Sequence, residues 1–238
     1  MTRRISGTRR YALLLAKVAK RFGRIAARNR GQVSCRAGCF GCCVGVFEIS
    51  SLDAALAARG LAKLPKARRE AIARRGEAIA RRIAGTFPGD PATLVLDVRR
   101  EETWDAFFET TTGIACPFLE PVDGRARTTA ASAARARRWP QGFACAIYAD
   151  RPHACRTFGL PLADRGEIVS DPCRLNFRGS SPAAIAAAAL PLYEPEEEEI
   201  ARTAQAEEAL PVDAATILPA VAAGRFPFAP ISSKRSGR

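Results

Sequence analysis

Apolar residues recur at helical spacing near the start of the chain. Residues 11–28 place apolar side chains three or four positions apart, with lysine and arginine between them. This period matches the α-helical turn and predicts an amphipathic helix with a basic outer face. The apolar stripe consists of Tyr11, Leu14, Leu15, Val18, Phe22 and Ile25. We expect the helix to dock on the core with its charges in water; binding to an anionic membrane surface is the alternative.

The chain between 44 and 110 predicts two short strands and three more helices. Residues 44–49 and 94–98 are short apolar runs that favour strands. Ser50 and Asp53 have the spacing of a helix N-cap, and Gly60 is a candidate end for the helix that follows. The other two helices are predicted at 65–85, with Ile72, Ile79 and Ile83 as its stripe, and at 100–110, with Trp104, Phe107 and Phe108 as core candidates.

From 116 to 173 the pattern changes to short strands and turns, with frequent proline and glycine. Residues 124–138 are basic, rich in alanine, threonine and serine, and without apolar periodicity; we interpret them as a mobile loop in an insertion at about 121–143. Helices are predicted again at 182–190, 196–209 and 214–223, and 226–238 as a frayed end.

The predicted fold class is α+β and mainly helical, with a cysteine-rich module of turns and short strands flanked by N- and C-terminal helices. The corresponding segments are a basic helical segment at 1–34, a cysteine-cluster domain at 35–175 and a helical segment at 176–238. No apolar run reaches the roughly 20 residues of a membrane-spanning helix. Because we also find no secretory signal, we expect a cytoplasmic protein.

The net charge is strongly positive. The chain has 37 basic and 24 acidic side chains, a formal charge of +13, which is one mark of nucleic-acid-binding proteins. The basic residues are spread over separate predicted helices, however, and few aromatic side chains lie among them to stack on bases. A solvated basic face therefore explains the charge better, and nucleic acid stays an alternative partner.

Eight cysteines carry the candidate chemistry. They are Cys35, Cys39, Cys42, Cys43, Cys116, Cys145, Cys155 and Cys173. Cys39 and Cys42 have the spacing in which one tight turn directs two sulfurs at a single metal ion. Gly38 and Gly41 give that turn its backbone freedom.

A metal site explains these cysteines better than disulfides or isolated buried thiols. A chain of 238 residues can build a core without disulfides, and the adjacent Cys42 and Cys43 cannot pair without strain. Thiolates that converge from short turns are the ligands of tetrahedral zinc and of iron–sulfur clusters. We expect zinc or iron, including an iron–sulfur cluster, with all eight cysteines as candidate ligands. Three alternatives stay open for Cys43: it binds the same metal centre, it binds a second centre, or it binds no metal.

Several motifs around the cysteines resemble a known family. They are Cys39-x-x-Cys42-Cys43, Cys116-Pro-Phe-Leu-Glu120, Cys145-x-Ile-Tyr148 and Arg151-Pro152-x-x-Cys155-Arg156. In this order they resemble the YkgJ-type cysteine-cluster proteins, the CxxCxxCC zinc- or iron-chelating family. The resemblance covers about 35–175. Cys35 departs from the family pattern, because three residues separate it from Cys39 where the pattern has two.

The resemblance implies chelation of zinc or iron by cysteine, with Arg156 at the metal site. Glu120 and Tyr148 are candidates to orient the ligands. His153, the single histidine, is a candidate ligand or proton carrier, or else a surface turn residue.

Three functions stay open at this point. The favoured one is a metal-binding protein, in which a protein partner is also allowed. Similar cysteine clusters occur in flagellin lysine N-methylases, so a metal- or cluster-dependent protein-modifying enzyme is the second, although no S-adenosylmethionine or nucleotide fingerprint is visible. A nucleic-acid-associated zinc module is the third.

Overall fold

The computed structural model describes residues 6–35, 39–121, 142–192, 195–208, 210 and 214–227. Over these ranges the protein is α+β and mainly helical, which confirms the predicted class. The helices are α1 (Gly7–Arg28), α2 (Ser51–Ala62), α3 (Lys66–Ile83), α4 (Trp104–Thr110), α5 (Ala154–Thr157), α6 (Pro182–Ala187), α7 (Pro195–Glu207) and α8 (Leu218–Ala223). The strands are β1 (Glu48–Ser50), β2 (Gly89–Asp90), β3 (Val95–Leu96), β4 (Leu119–Pro121), β5 (Phe143–Cys145), β6 (Leu162–Asp164), β7 (Glu167–Ser170), β8 (Leu190–Pro191) and β9 (Ala215–Ile217).

Helix α1 docks on the core through its predicted stripe. The stripe residues buried there are Tyr11, Leu14, Leu15 and Val18. The basic outer face packs along the acidic helix α7, where Arg10 pairs with Glu207 and Arg21 pairs with Glu197 at 2.8 Å. Part of the positive charge is therefore neutralised inside the molecule.

The start of α2 follows the prediction and its end does not. The Ser50 hydroxyl accepts a hydrogen bond from the backbone N–H of Asp53 at 3.1 Å, as a cap should. The helix continues through Gly60 to Ala62, so the prediction of a stop was wrong. A Cβ on Gly60 would lie 2.8 Å from Cβ of Asp150, so this glycine allows a close approach between two segments.

A small antiparallel sheet has the strand order β1-β9-β3-β2 and lies next to α2 and α8. Helix α3 packs against α8. Strand β9 pairs with β1 on one side and with β3 on the other. The helix predicted at 214–223 was thus wrong in its first part, because Ala215–Ile217 is a strand and α8 begins only at Leu218. A three-residue segment is too short to show a hydrophobic period, so its neighbours in the fold decide its structure.

Three other boundaries differ from the predictions. Helix α6 ends at Ala187, and Leu190 belongs to β8, which runs parallel to β6. The strand predicted at 44–49 forms only from Glu48, whereas the segment at 98–103 is a 3₁₀ helix ahead of α4. Trp104 and Phe107 of α4 are buried, as predicted.

The predicted insertion begins and ends on two paired strands. Pro121 of β4 lies opposite Phe143 of β5, so the two ends of the insertion meet. The loop assigned to 124–138, and the chain end from 228 onwards, lie outside the described residues. Within the described part of the chain, no helix is both long and apolar enough to cross a membrane.

Candidate metal centre

The cysteines lie on turns and strand ends next to the core. Cys42 and Cys43 occupy a 3₁₀ turn, Cys145 ends β5 and Cys155 lies in α5. All eight are part-buried and none forms a disulfide. Three of them, Cys116, Cys145 and Cys155, pack against the main apolar core.

Backbone hydrogen bonds bring distant cysteines together. The N–H of Cys116 donates to the carbonyl of Cys43 at 2.7 Å. Leu119, three residues after Cys116, lies opposite Cys145 in the β4–β5 pair. The main chain therefore assembles thiols that are about 100 positions apart in sequence.

Five thiols form what we call the inner group. It consists of Cys42, Cys43, Cys116, Cys145 and Cys155. Cys43 is hydrogen-bonded to Cys42 and lies within electrostatic range of Cys116 and Cys155. Cys145 interacts in the same way with Cys42 and Cys116.

Burial makes most of the inner group costly to ionise. It raises the pKa of Cys116 to about 12, and it is also the largest cause that raises the pKa of Cys145 and, strongly, that of Cys155. The hydrogen bond between Cys42 and Cys43 lowers the pKa of the former and raises that of the latter. Several thiolates can coexist in such a place only with a compensating positive charge.

The other three thiols form what we call the outer group, Cys35, Cys39 and Cys173. Cys35 is hydrogen-bonded to Cys39 and lies within electrostatic range of Cys173. Cys39 in turn lies within electrostatic range of Cys42 of the inner group. A partly open cavity of about 280 Å³ borders the outer group, lined by Gly41, Phe158, Asp171, Pro172, Cys173, Arg174 and Leu175.

Asn176 binds three segments around the outer group. Its Oδ1 accepts from the backbone N–H of Ser34 at 2.8 Å. Its Nδ2 donates to the carbonyl of Gly159 at 2.6 Å and to Sγ of Cys35 at 3.3 Å. Its own backbone N–H donates to the carbonyl of Cys173 at 2.7 Å.

Arg151 places a cation beside the inner group. Its positive charge acts to lower the pKa of Cys42 and of Cys145. The guanidinium lies over the Tyr148 ring, 3.8 Å from the centroid. Its Nε and Nη1 are buried and have no hydrogen-bond partner among the residues that the structure describes. Unpaired buried donors are costly, and anionic sulfur would satisfy them.

Glu120, a candidate to orient the ligands, and Arg156, expected at the metal site, have different surroundings. Glu120 binds Arg68 at 2.5 Å and Arg75 at 3.5 Å, and lies within electrostatic range of Cys145. Arg156 donates to the carbonyls of Arg151 at 3.0 Å and of Ala149 at 2.6 Å, so it braces the turn before α5.

His153 is buried, so its interpretation as a surface turn residue was wrong. It is 8% exposed, and its backbone N–H donates to the Asp53 carboxylate at 2.9 Å. Burial lowers the pKa of the His153 ring to about 4 and raises the pKa of Asp53 to about 6. The hydroxyl of Tyr11 also donates to Asp53 at 2.9 Å, so this carboxylate joins α1, α2 and the turn before α5.

The donor chemistry fits zinc or iron, whereas the described side chains do not form a complete ligand sphere. Over the described ranges, no three His, Cys, Asp or Glu side chains are arranged to hold a metal ion. The backbone nonetheless brings Cys43, Cys116 and Cys145 together, and the positive charge of Arg151 acts on Cys42 and Cys145.

Sequence reasoning missed three residues of this site. Asn176 lies one position beyond the predicted domain of 35–175, and no local motif marks it. Gly159 is read as a turn glycine in the sequence, whereas a Cβ there would collide with Sγ of Cys35. Arg151 was identified only as part of a turn motif. Each role depends on segments that meet only in the folded chain.

Comparisons with known proteins add no family to this picture. No protein-family model matches the chain. No curated protein and no solved structure matches it either.

Proposed function

We propose that this protein binds zinc or iron, the latter as an ion or in an iron–sulfur cluster, through cysteine thiolates. The observation that carries the proposal is the backbone pairing that brings Cys43, Cys116 and Cys145 together, with Cys42 and Cys155 within electrostatic range of them. Soft thiolates gathered from turns are the ligands that these metals prefer. The resemblance of the motifs to YkgJ-type proteins points the same way, and membership of that family is part of the proposal.

The inner group is the best-supported ligand set. Four ligands complete a tetrahedral zinc site or one iron–sulfur cluster, and this group offers five thiols. Consecutive residues seldom bind the same small ion, so we assign Cys42 to the centre ahead of Cys43. Arg151 would neutralise part of the charge of the thiolates. A metal here would tie the 3₁₀ turn, β5 and α5 together and so stabilise the fold.

Anaerobic purification followed by metal analysis and visible spectroscopy tests this proposal. Stoichiometric zinc in a colourless protein, or iron with sulfide and visible absorption, would support it and identify the metal. A protein that carries neither metal at stoichiometric level when purified without oxygen, and that takes up neither when reconstituted, would overturn it.

A cluster-dependent protein-modifying enzyme is the second candidate function. The observation in its favour is the open cavity of about 280 Å³ beside Cys173, where a substrate side chain would reach the outer group. Incubation of the metal-loaded protein with flagellin and S-adenosylmethionine tests the lysine-methylating version. A mass increase of one methyl group on lysine would support it, and unchanged substrate would count against it.

The salt bridges between α1 and α7 make the nucleic-acid alternative weaker. Arg10 and Arg21 of the basic helix are engaged by Glu207 and Glu197. They are therefore less available for phosphates. Affinity for DNA or RNA that falls steeply with salt would revive this alternative.

A cytoplasmic location, whose reducing conditions keep thiols free for metal, also belongs to the proposal.

A further inference from the structure

Sγ of Cys35 lies in a niche built by residues far away in sequence. Gly159 forms one wall, with a φ of +120°, and a Cβ at this position would collide with the sulfur. Asn176 forms another wall and donates from Nδ2 to Sγ at 3.3 Å. The niche thus leaves room for one sulfur atom and offers it a hydrogen-bond donor.

The orientation of the Asn176 amide follows from its backbone partners. The Ser34 N–H is a donor and therefore requires Oδ1, whereas the Gly159 carbonyl is an acceptor and requires Nδ2. A flipped amide would place oxygen against oxygen and donor against donor. The group that faces Sγ of Cys35 is consequently an N–H, and the sulfur is the acceptor.

We propose that Asn176 is a positioning residue that holds Cys35 as a metal-binding thiolate in the outer group. This inference rests on the proposed metal binding and goes beyond it, because it names the group that aims and stabilises one particular ligand. Hydrogen bonds from protein N–H groups to metal ligands orient them and tune their basicity. Asn176 is 4% exposed, so its donors cannot turn to water instead.

The same residue also fixes a second cysteine. The Asn176 backbone N–H closes a turn onto the carbonyl of Cys173 at 2.7 Å. The following N–H, of Phe177, donates to the carbonyl of Gln32 at 2.8 Å, which ties this turn to the turn that precedes Cys35. Asn176 therefore bonds to both Cys35 and Cys173.

A purely structural role is the competing explanation, because Asn176 also bonds Ser34 and Gly159. The two explanations differ in whether the effect of Asn176 on metal affinity requires the sulfur of Cys35. A double-mutant cycle separates them, since losses common to both backgrounds cancel.

The experiment measures the affinity of the reduced, metal-free full chain for Co²⁺ alone, under anaerobic conditions. The variants are wild type, Asn176→Ala, Cys35→Ala and the double variant. We expect Asn176→Ala to weaken binding about 10- to 100-fold in the wild-type background and to have little further effect in the Cys35→Ala background. An equal loss in both backgrounds, or no loss in either, would overturn the proposal.

Absorption from sulfur-to-cobalt charge transfer gives a second readout, independent of affinity. Gly159→Ala should lower its intensity, because the new methyl group displaces the Cys35 sulfur. Gly166→Ala is the matched control: it has a positive φ of +91°, and no described atom lies within 4 Å of the added Cβ. Equal charge-transfer intensities in Gly159→Ala and Gly166→Ala would show that Gly159 does not make room for the Cys35 sulfur. Failure of wild type to bind Co²⁺, zinc and iron alike would instead overturn the proposed function.

Discussion

At the scale of single residues, the thiol of Cys155 is the most sharply constrained of the candidate ligands. Burial raises its pKa well above the ordinary value, and Cys116, Cys42, Cys145 and Asp53 act in the same direction. Only a bound cation would make its thiolate stable in this position. Substitution of Cys155 therefore tests whether the inner group binds a metal.

We expect Cys155→Ser to lose metal and stability together. A serine hydroxyl is a poor ligand for these metals, so stoichiometric metal should be lost and the free energy of unfolding should fall by at least about 2 kcal/mol. Metal analysis and urea denaturation check this. Ala154→Ser, which adds a hydroxyl one position away and keeps the thiol, is the control. Full metal occupancy in Cys155→Ser would contradict the assignment.

Arg151 has unpaired donors beside the inner group, and its loss should make the metal easier to remove. Arg151→Met keeps the length of the side chain and removes its charge and donors, so metal affinity is expected to drop about 10- to 100-fold. Competition with a chelator measures this. Arg99→Met is a control, since the Arg99 side chain is 85% exposed and pairs only locally with Asp97. Equal metal affinities in Arg151→Met and Arg99→Met would show that Arg151 does not contribute to metal binding.

Because of Asp53, we expect the free energy of unfolding to fall as the pH rises from about 4 to about 6. Burial raises its pKa to about 6, so the folded state holds the proton more tightly than the unfolded chain does. Its favourable contribution is complete below the unfolded pKa of about 4 and is lost by about pH 6. His153 contributes in the opposite sense, because burial lowers its pKa to about 4.

The comparison of wild type with Asp53→Asn isolates this contribution. Asparagine keeps an oxygen for the donors of Tyr11 and His153, and the charge of Arg156 faces both proteins equally. From pH 4 to 6, the free energy of unfolding of wild type should fall relative to that of the variant by up to about 3 kcal/mol. Urea denaturation at each pH measures it, and parallel curves would contradict the buried-carboxylate interpretation.

At the scale of secondary-structure elements, the contact between α3 and α8 depends on a glycine inside a helix. A Cβ on Gly76 would lie 2.7 Å from Cβ of Ala222 and 2.8 Å from the backbone nitrogen of Ala223. Glycine normally weakens a helix interior, so its presence here reflects the close approach of α8. The strand β9 that precedes α8 packs against α2 and pairs with β1 and β3.

Two glycine-to-alanine substitutions should therefore have opposite effects. Gly76→Ala is expected to lower the free energy of unfolding by about 1 to 3 kcal/mol through overpacking. Gly23→Ala in α1 should raise it by about 0.5 to 1 kcal/mol, because no described atom lies within 4 Å of its new Cβ. Chemical denaturation of both proteins measures the difference. An equal stabilisation in the two variants would show that α3 and α8 are not in tight contact.

At the scale of the whole molecule, the proposed metal would act as a cross-link among segments far apart in sequence. Removal of a bound metal by a chelator is expected to lower the free energy of unfolding by about 3 kcal/mol and the Tm by about 5 to 10 °C. Differential scanning calorimetry measures the change. Readdition of the native metal should restore the Tm, whereas Mg²⁺, which prefers oxygen ligands, should not. An unchanged Tm after complete metal removal would argue against a structural role.

Much of the helical part could be predicted because its signals are local. The stripe of Tyr11, Leu14, Leu15 and Val18 lies on one face of any helix formed there, so the buried side of α1 follows from spacing alone. The cap at Ser50 likewise needs only residues within one turn. These features are set by the geometry of consecutive residues and need no knowledge of the rest of the chain.

The candidate ligands could be named from the sequence, and their surroundings could not. Cysteine types and spacing mark which atoms are able to bind a soft metal. Whether Cys116 and Cys145 meet depends on the pairing of β4 with β5, and the niche of Cys35 depends on Gly159 and Asn176. The single histidine looked like a surface residue for the same reason, because its burial comes from the approach of Asp53 on α2.

The chain itself determines an α+β class, an amphipathic first helix and a set of eight thiols suited to zinc or iron, because periodicity, capping and donor chemistry act over a few residues. The folded molecule decides that β9 joins the sheet, that Gly60 and Gly76 lie at helix contacts, and that Arg151 and Asn176 face the sulfurs. These outcomes come from contacts between residues up to 169 positions apart, such as Glu48 with Ile217 in the β1–β9 pair, and no local pattern encodes such a contact.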